Sequence, residues 1–220
     1  MKTKMTAKKM KAPDQLLKAM MEFVGYLKHN VKVYLILAGV IVVITAVVVL
    51  ANYFTNTKEE NARKALYTIS KQLETSNKDN PEVAIKLLEE NLSKLGNTKA
   101  KIEAQYMLAE MYYNIKNWDK AINNYDAITK STDGLMKELA FLGLAYSQEN
   151  KGETKKALDV FIKMKELNAS VYKDVAMMGI ARCYQKLGDK NNALAAYESI
   201  IIAYPDSDIA RLASAAKADL

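Results

Sequence analysis

The fold is decided by three stretches of equal length: LAEMYYNIKNWDKAINNY (108–125), LAYSQENKGETKKALDVF (144–161) and IARCYQKLGDKNNALAAY (180–197). Each has an aliphatic residue or alanine near its start, then a turn, then an alanine followed four residues later by an aromatic residue. The later alanines are Ala121, Ala157 and Ala193, spaced 36 residues apart. Apolar residues at helical spacing favour helices, and a fixed period of this length indicates stacked helix pairs. We therefore predict an all-α solenoid.

The pattern resembles the tetratricopeptide repeat, a helix–turn–helix unit of about 34 residues. The small residue of the first helix is present in each stretch, and Pro205 falls where the terminal proline of the repeat belongs. The resemblance covers roughly residues 57–205 and implies three to four helix pairs. The first unit, 57–96, retains little of the pattern. Residues 206–220 predict a final amphipathic helix, with Asp206 or Ser207 as its cap, that covers the last pair.

A second stretch, VYLILAGVIVVITAVVVLANYF (33–54), contains no charged residue. A helix of this length is about 33 Å long, close to the roughly 30 Å hydrocarbon core of a bilayer. Core helices of soluble proteins seldom run this far without a polar face. We predict a transmembrane helix over 33–54, a basic tail over 1–32 and a repeat domain over 55–220.

The charge distribution predicts the orientation of the span. Residues 1–32 hold eight lysines against two acids, whereas residues 55–220 hold 24 basic and 23 acidic groups. Because lysines stay on the cytoplasmic side, the tail is expected in the cytoplasm, with the repeat domain in the periplasm beyond a bacterial inner membrane. The near-neutral domain argues against nucleic-acid binding. The apolar run is long for a cleaved signal peptide, so we expect an uncleaved single-pass anchor.

The segment before the span has two parts. Residues 1–12 are lysine-rich, and we expect disorder there, with attraction to anionic lipid or a purely solubilising role. From Pro13, apolar residues recur at helical spacing and predict a short amphipathic helix. This helix either lies in the membrane interface or docks on a partner membrane protein.

After the span, a helix is predicted over 57–76. Thr57 with Glu60 matches a capping box, which would begin this helix. Pro81 is expected to open the next helix, and Gly96 to end it.

Residues for catalysis are not found in the repeat domain. Its sequence has no histidine, so a Ser–His or Cys–His pair is excluded. Glycine-rich phosphate loops and clustered Cys/His ligands are also absent from the sequence. The single cysteine, Cys183, is expected to be a packed thiol. We predict a non-enzymatic protein without cofactor or metal.

The predicted functional surface is a groove. In the repeat family, residues of each first helix line the concave face, and the resemblance places nine residues there: Tyr106, Glu110, Tyr113, Leu142, Tyr146, Glu149, Met178, Arg182 and Gln185. Some repeats of this type clamp a C-terminal carboxylate with Lys and Asn, a set that this sequence lacks. Tyrosine and methionine suit apolar or extended peptide segments. The alternative for each residue is packing between helices.

The whole layout resembles the YfgM-like bacterial inner-membrane proteins: a basic tail, a short helix, one span, a KEENARKA helix and divergent repeats. That resemblance implies an ancillary, chaperone-like role at the Sec translocon, with the translocon, a periplasmic chaperone or secreted clients as partners. The alternative is a structural subunit or assembly factor of another envelope machine, such as a secretion apparatus, an outer-membrane assembly complex or a motor.

Overall fold

The chain is almost entirely helical. The computed structural model describes residues 11–75, 80–168 and 170–220, and these form ten α-helices and no strand. The helices are α1 (Lys11–His29), α2 (Val31–Thr75), α3 (Pro81–Leu92), α4 (Lys99–Asn114), α5 (Trp118–Ser131), α6 (Leu135–Asn150), α7 (Thr154–Lys165), α8 (Lys173–Lys186), α9 (Lys190–Ala203) and α10 (Asp208–Ala218). The chain divides into two compact units, the first ending at Thr57 and the second beginning at Lys58, and each is described by itself.

The first unit contains α1 and the apolar part of α2. The side chains of residues 31–54 are exposed along their whole length. Among the described residues, α2 is the one helix long and apolar enough to cross a membrane. In α1, the apolar side chains that predict an amphipathic helix are also exposed, Leu16 and Met21 among them. The tail residues for which disorder and lipid attraction are predicted lie largely outside the described part of the chain.

The predicted helix start at Thr57 is wrong. Helix α2 runs through this position without a break, and the Thr57 hydroxyl donates to the carbonyl of Tyr53 at 2.9 Å. No glycine or proline lies between Phe54 and Glu60 to stop the preceding helix. A threonine inside a helix bonds the carbonyl four residues earlier instead of capping.

The second unit begins with the C-terminal part of α2 and with α3. Ala62, Leu66 and Ile69 of α2 are buried in one cluster with Leu88 of α3. Upstream in α2, Glu59 accepts hydrogen bonds from two backbone N–H groups at the start of α4, those of Lys99 at 2.9 Å and Ala100 at 3.3 Å. A carboxylate at this end of a helix satisfies free donors and complements the helix dipole.

Helices α4 to α9 form three pairs with equivalent turns. The chain reverses within each pair at a residue with left-handed backbone: Lys116 (φ 61°), Gly152 (φ 88°) and Gly188 (φ 75°). The three positions are 36 residues apart, and each lies in the turn expected within its 18-residue stretch. The repeat therefore keeps this conformation even where Lys116 replaces glycine, at some steric cost.

The pairs stack through the aromatic residue of each second helix. Tyr125 of α5 and Phe161 of α7 are fully buried. Their rings lie against Gly143 of α6 and Gly179 of α8, where an added Cβ would meet ring atoms at 2.3 Å and 2.6 Å. These two glycines let each aromatic ring approach the backbone of the next pair.

The last helix covers the end of the stack. Ser207 caps α10 by accepting from the backbone N–H of Ala210 at 3.1 Å. Ala213 of α10 is fully buried in one cluster with Ala193 and Tyr197 of α9. The predicted C-terminal capping helix is therefore present.

Candidate partner-binding groove

The nine predicted groove residues occupy equivalent positions on α4, α6 and α8. They form three rows across these helices: Tyr106–Leu142–Met178, Glu110–Tyr146–Arg182 and Tyr113–Glu149–Gln185, with 36 residues between neighbours in each row. Spacings of three and four residues place each helix's three members on one face. We refer to this set as the three-row surface. Eight members are half-buried, and Glu149 is buried.

A charged cluster joins α6 to α8 at the centre of this surface. Glu149 is 7% exposed and accepts two parallel hydrogen bonds from Arg182, from Nε to Oε1 and from Nη2 to Oε2, both at 2.7 Å. Lys186 adds a third contact, Nζ to Oε1 at 2.7 Å. A bidentate arginine–carboxylate pair fixes both distance and angle. It therefore ties the first helices of two successive pairs together.

The electrostatics of the cluster favour the charged pair. Burial acts to raise the pKa of Glu149, but the hydrogen bonds and charges of Arg182 and Lys186 outweigh burial and lower it. The same carboxylate raises the pKa of Arg182. One carboxylate between two cations leaves one positive charge on the surface, where the side chains of Arg182 and Lys186 are 34% and 47% exposed.

Aromatic rings surround the arginine. The guanidinium carbon lies 5.6 Å from the centre of the Tyr146 ring and 5.9 Å from that of Phe161. The two rings meet edge to face, with centroids 5.6 Å apart. Burial is the main cause that raises the pKa of Tyr146, and Arg182 opposes it. Tyr146 therefore belongs as much to the packed core as to the surface.

Two other predicted residues hold the second helices in place. Glu110 accepts a hydrogen bond from the buried Tyr125 hydroxyl, and Gln185 accepts one from the Tyr197 hydroxyl at 2.9 Å. Burial and the bond to Glu110 raise the pKa of Tyr125. The polar ends of Glu110 and Gln185 are thus occupied within their own helix pairs.

Three other members of the surface pack against residues outside the three rows. The Tyr113 hydroxyl accepts from Asn150 Nδ2 at 2.8 Å, and its ring lies edge-on to Trp118 at 5.2 Å. Tyr106 packs edge-on to Tyr125 at 5.7 Å, and burial is the main cause that raises the pKa of Tyr106 to about 12. Leu142 also packs against the core cluster.

Met178 packs at the edge of the last cluster. Together with Tyr106 and Leu142 it makes one row of the surface free of formal charge at neutral pH. This row, together with Arg182 and the adjoining Lys186, is best suited to an apolar segment that carries a negative charge.

Sequence reasoning missed Lys186 and Asn150. Lys186 follows Arg182 by four residues, which places both cations on one helix face; this spacing was the available signal. Asn150 of α6 contacts Tyr113 of α4, which belongs to the preceding helix pair. No local sequence pattern indicates such a contact.

The described residues were compared with what a metal site or a reactive thiol requires. Within the described ranges, no group of three or more His, Cys, Asp or Glu side chains lies close enough together to hold a metal ion. Cys183 is fully buried, and burial is the main cause that raises its pKa to about 11. Such a thiol stays protonated and inert at neutral pH.

Comparison with known proteins supports the repeat fold. The tetratricopeptide repeat family matches residues 103–131 and 175–207. The first match spans most of α4 and all of α5, and the second spans most of α8 and all of α9. No curated protein sequence matches the chain. The fold and the matched stretches together define a protein with tetratricopeptide-like repeats.

Solved structures show the same architecture at low identity. A kinesin light chain protein from Podosopora anserina with nearly identical TPR-like repeats is 15% identical, covering 72% of this chain and 81% of its own (TM-score 0.51). MamA from Desulfovibrio magneticus RS-1 is 15% identical, covering 71% and 89% (TM-score 0.50). PcrH from Pseudomonas aeruginosa is 20% identical, covering 54% and 89% (TM-score 0.48). The first two likenesses concern the fold alone.

Proposed function

We propose that this chain is a membrane-anchored protein-interaction scaffold of a bacterial envelope, with residues 33–54 in the inner membrane and residues 55–220 in the periplasm. Its role is that of an ancillary, chaperone-like module beside the Sec translocon. The repeat fold supports a protein-binding role, because stacked helix pairs offer extended concave surfaces to partners. The exposed apolar stretch of α2 supports the membrane anchor.

The observation that carries the proposal is the composition of the three-row surface. It offers Tyr106, Leu142 and Met178 in one apolar row, beside the cationic pair of Arg182 and Lys186. Adaptable methionine and amphipathic tyrosine contact varied apolar segments. The positive charge suits a carboxylate in the bound chain. Such a surface fits unfolded secreted polypeptides of mixed sequence better than a single rigid ligand.

Site-specific crosslinking in cells tests this role. A photoreactive phenylalanine analogue replaces Tyr113 on the surface, and in a matched control replaces Tyr67, which is 71% exposed on α2 outside the three rows. We expect Tyr113 to give crosslinks to many secreted polypeptides and Tyr67 to give few. One stoichiometric envelope protein at Tyr113 would instead favour a structural subunit or assembly factor. Equal crosslinks at both positions would contradict the groove.

Docking and orientation need separate experiments. Purification from detergent extracts with and without residues 1–32 tests whether the tail helps capture the translocon.

For orientation, the substitution Leu220→Cys is made in a chain that carries Cys183→Ser. A membrane-impermeant thiol reagent should label it from the periplasmic side of intact cells. Labelling only after the cytoplasm is opened would refute the proposed topology.

A further inference from the structure

A cleft of about 500 Å³ lies between α5, α6 and α7. Its wall includes Thr129, Phe141, Leu144, Gln148 and Val160, and we call it the Gln148 cleft. Its residues on α6 lie about 140° around the helix from Leu142, Tyr146 and Glu149, at about 100° per residue. The cleft is therefore distinct from the three-row surface.

The repeat itself shows what is unusual here. The residue three positions after the small residue of each first helix is Tyr112, Gln148 and Tyr184 in successive pairs. Tyrosine is the usual residue at this position of the repeat. The equivalent cleft one pair later, between α7, α8 and α9, has Tyr184 in its wall and measures about 330 Å³. The middle pair thus lacks the aromatic ring of its neighbours and has the larger cleft.

Gln148 also carries an unused hydrogen-bonding atom. Its side chain is 8% exposed, and its Oε1 is buried with no hydrogen-bond partner among the described residues. Buried acceptors in native proteins are almost always paired. A donor supplied by a ligand would satisfy this oxygen once the amide turns toward the cleft.

The preceding pair shows which contacts a tyrosine ring makes at this position of the repeat. The Tyr112 hydroxyl accepts from Lys120 Nζ at 2.9 Å, and the same ammonium lies 4.7 Å from the centre of the Tyr112 ring. The residue equivalent to Lys120 is Lys156, which follows it by 36 residues. Lys156 lines the Gln148 cleft. The middle pair therefore keeps the lysine, which bonds Glu153 at 2.9 Å, but lacks the ring that it would contact.

Charge around the cleft indicates what flanks such a ring. The lining contains more lysine than aspartate, with Lys130, Lys137, Lys156 and Lys163 against Asp126 and Asp159. Lys130 pairs with Asp126, Lys137 with Asp133 and Lys156 with Glu153, whereas no ion pair of Lys163 is found within the described residues. Lysines outnumber carboxylates among the residues that line the cleft, and the side chains of Lys130 and Lys156 are exposed, so the carboxylates of a bound acidic segment can replace their partners on either side of the ring.

We propose that the Gln148 cleft binds a tyrosine side chain within an acidic segment of a partner protein. The ring lies beside Gln148, in the space that the smaller glutamine side chain leaves where its neighbours have Tyr112 and Tyr184. Its hydroxyl accepts from Lys156 and donates to Gln148. This is a second protein-binding site, on a different face of α6 from the groove, and it does not depend on the proposed translocon role.

The test is a calorimetric titration, in which short synthetic peptides are added to the full chain in detergent micelles and the heat of binding is measured. The probe is an acetylated, amidated peptide with one tyrosine between pairs of glutamates. The analogues replace tyrosine by phenylalanine or alanine, or the glutamates by lysines. We expect saturable binding of the probe, several-fold weaker binding of the phenylalanine analogue, and at least tenfold weaker binding of the other two.

Variants locate the site. Gln148→Tyr restores the residue of both neighbouring pairs, so it should fill the cleft and weaken probe binding at least tenfold without loss of helicity. Lys156→Gln alters an exposed side chain and should remove most of the preference for tyrosine over phenylalanine. Lys190→Gln, an exposed lysine outside the cleft, is the matched control and should bind as the wild type does.

Three results would overturn the proposal. The first is no saturable binding of the probe at millimolar concentration, and the second is wild-type affinity in the Gln148→Tyr variant. The third is an unchanged tyrosine preference in Lys156→Gln, which decides the matter by itself if Gln148→Tyr does not fold. A peptide that binds the micelles alone equally well counts as no binding.

Discussion

Removing the charge of Glu149 should destabilise the repeat domain by about 2–3 kcal/mol at neutral pH. In Glu149→Gln the side chain keeps its volume, but its amide N–H₂ group is a donor where Arg182 also donates. Arg182 and Lys186 then lose the carboxylate that they share. Removing one partner of a buried pair costs about 3–5 kcal/mol. We take a lower figure because the side chains of Arg182 and Lys186 are 34% and 47% exposed and stay partly hydrated.

The pH dependence of this loss has a definite sign. Because the pKa of Glu149 is lowered from 4.5 in the folded chain, its stabilisation is present above about pH 4.5 and is lost as the pH falls through the folded pKa. The difference in unfolding free energy between wild type and Glu149→Gln should therefore be full at neutral pH and shrink below about pH 4.5.

Urea denaturation of the full chain in micelles measures this difference. Far-UV circular dichroism follows the helices, and the fluorescence of Trp118, the single tryptophan, follows the contact with Tyr113. The control Glu60→Gln breaks an exposed pair with Lys64 and should cause no measurable change. A loss that is the same at neutral pH and well below pH 4.5 would refute the electrostatic explanation.

Three further predictions follow from packing, burial and capping. Gly179→Ala places a methyl group 2.6 Å from the buried Phe161 ring. Overpacking costs about 3 kcal/mol and the better helix propensity of alanine offsets about 1 kcal/mol of it. The free energy of unfolding should therefore fall by about 2 kcal/mol. The companion change Phe161→Leu should recover part of this in a double-mutant cycle, and additive losses would refute the contact. Cys183, fully buried with its pKa raised to about 11, should resist thiol reagents at neutral pH until urea unfolds the chain; fast labelling of the folded chain would contradict its burial. Glu59→Gln should cost about 1 kcal/mol, because the N-terminus of α4 loses a charged acceptor, whereas equal urea midpoints for variant and wild type would refute this cap.

The sequence predicts the helix pairs well because their packing depends on local residues. A small alanine and an aromatic residue at fixed spacing determine how closely two helices approach, so Ala121 with Tyr125 is enough to place a pair. The start of the helix after the span was mispredicted at Thr57. A capping signal covers four residues and does not interrupt a helix that lacks a breaker.

The sequence predicts which helix faces form the groove, but it does not predict which groove residues contact one another. Helical periodicity places Glu149 and Arg182 on the predicted groove face of their helices, yet it does not indicate that they meet, because that depends on the offset between successive pairs. Glycine at 143 and 179 was a visible signal at the 36-residue spacing. Its meaning became clear only from the aromatic rings that lie against it.

The constant spacing of the pairs limits which changes of chain length the domain tolerates. Excision of 36 residues between equivalent points, from just after Tyr125 to just after Phe161, would join the first part of α5 to the last turn of α7, and every buried side chain would keep its side. Excision of 35 residues would rotate the next helix by about 100° and expose its apolar stripe. Whole modules can therefore be gained or lost, while a single-residue deletion within a helix puts the helix out of phase.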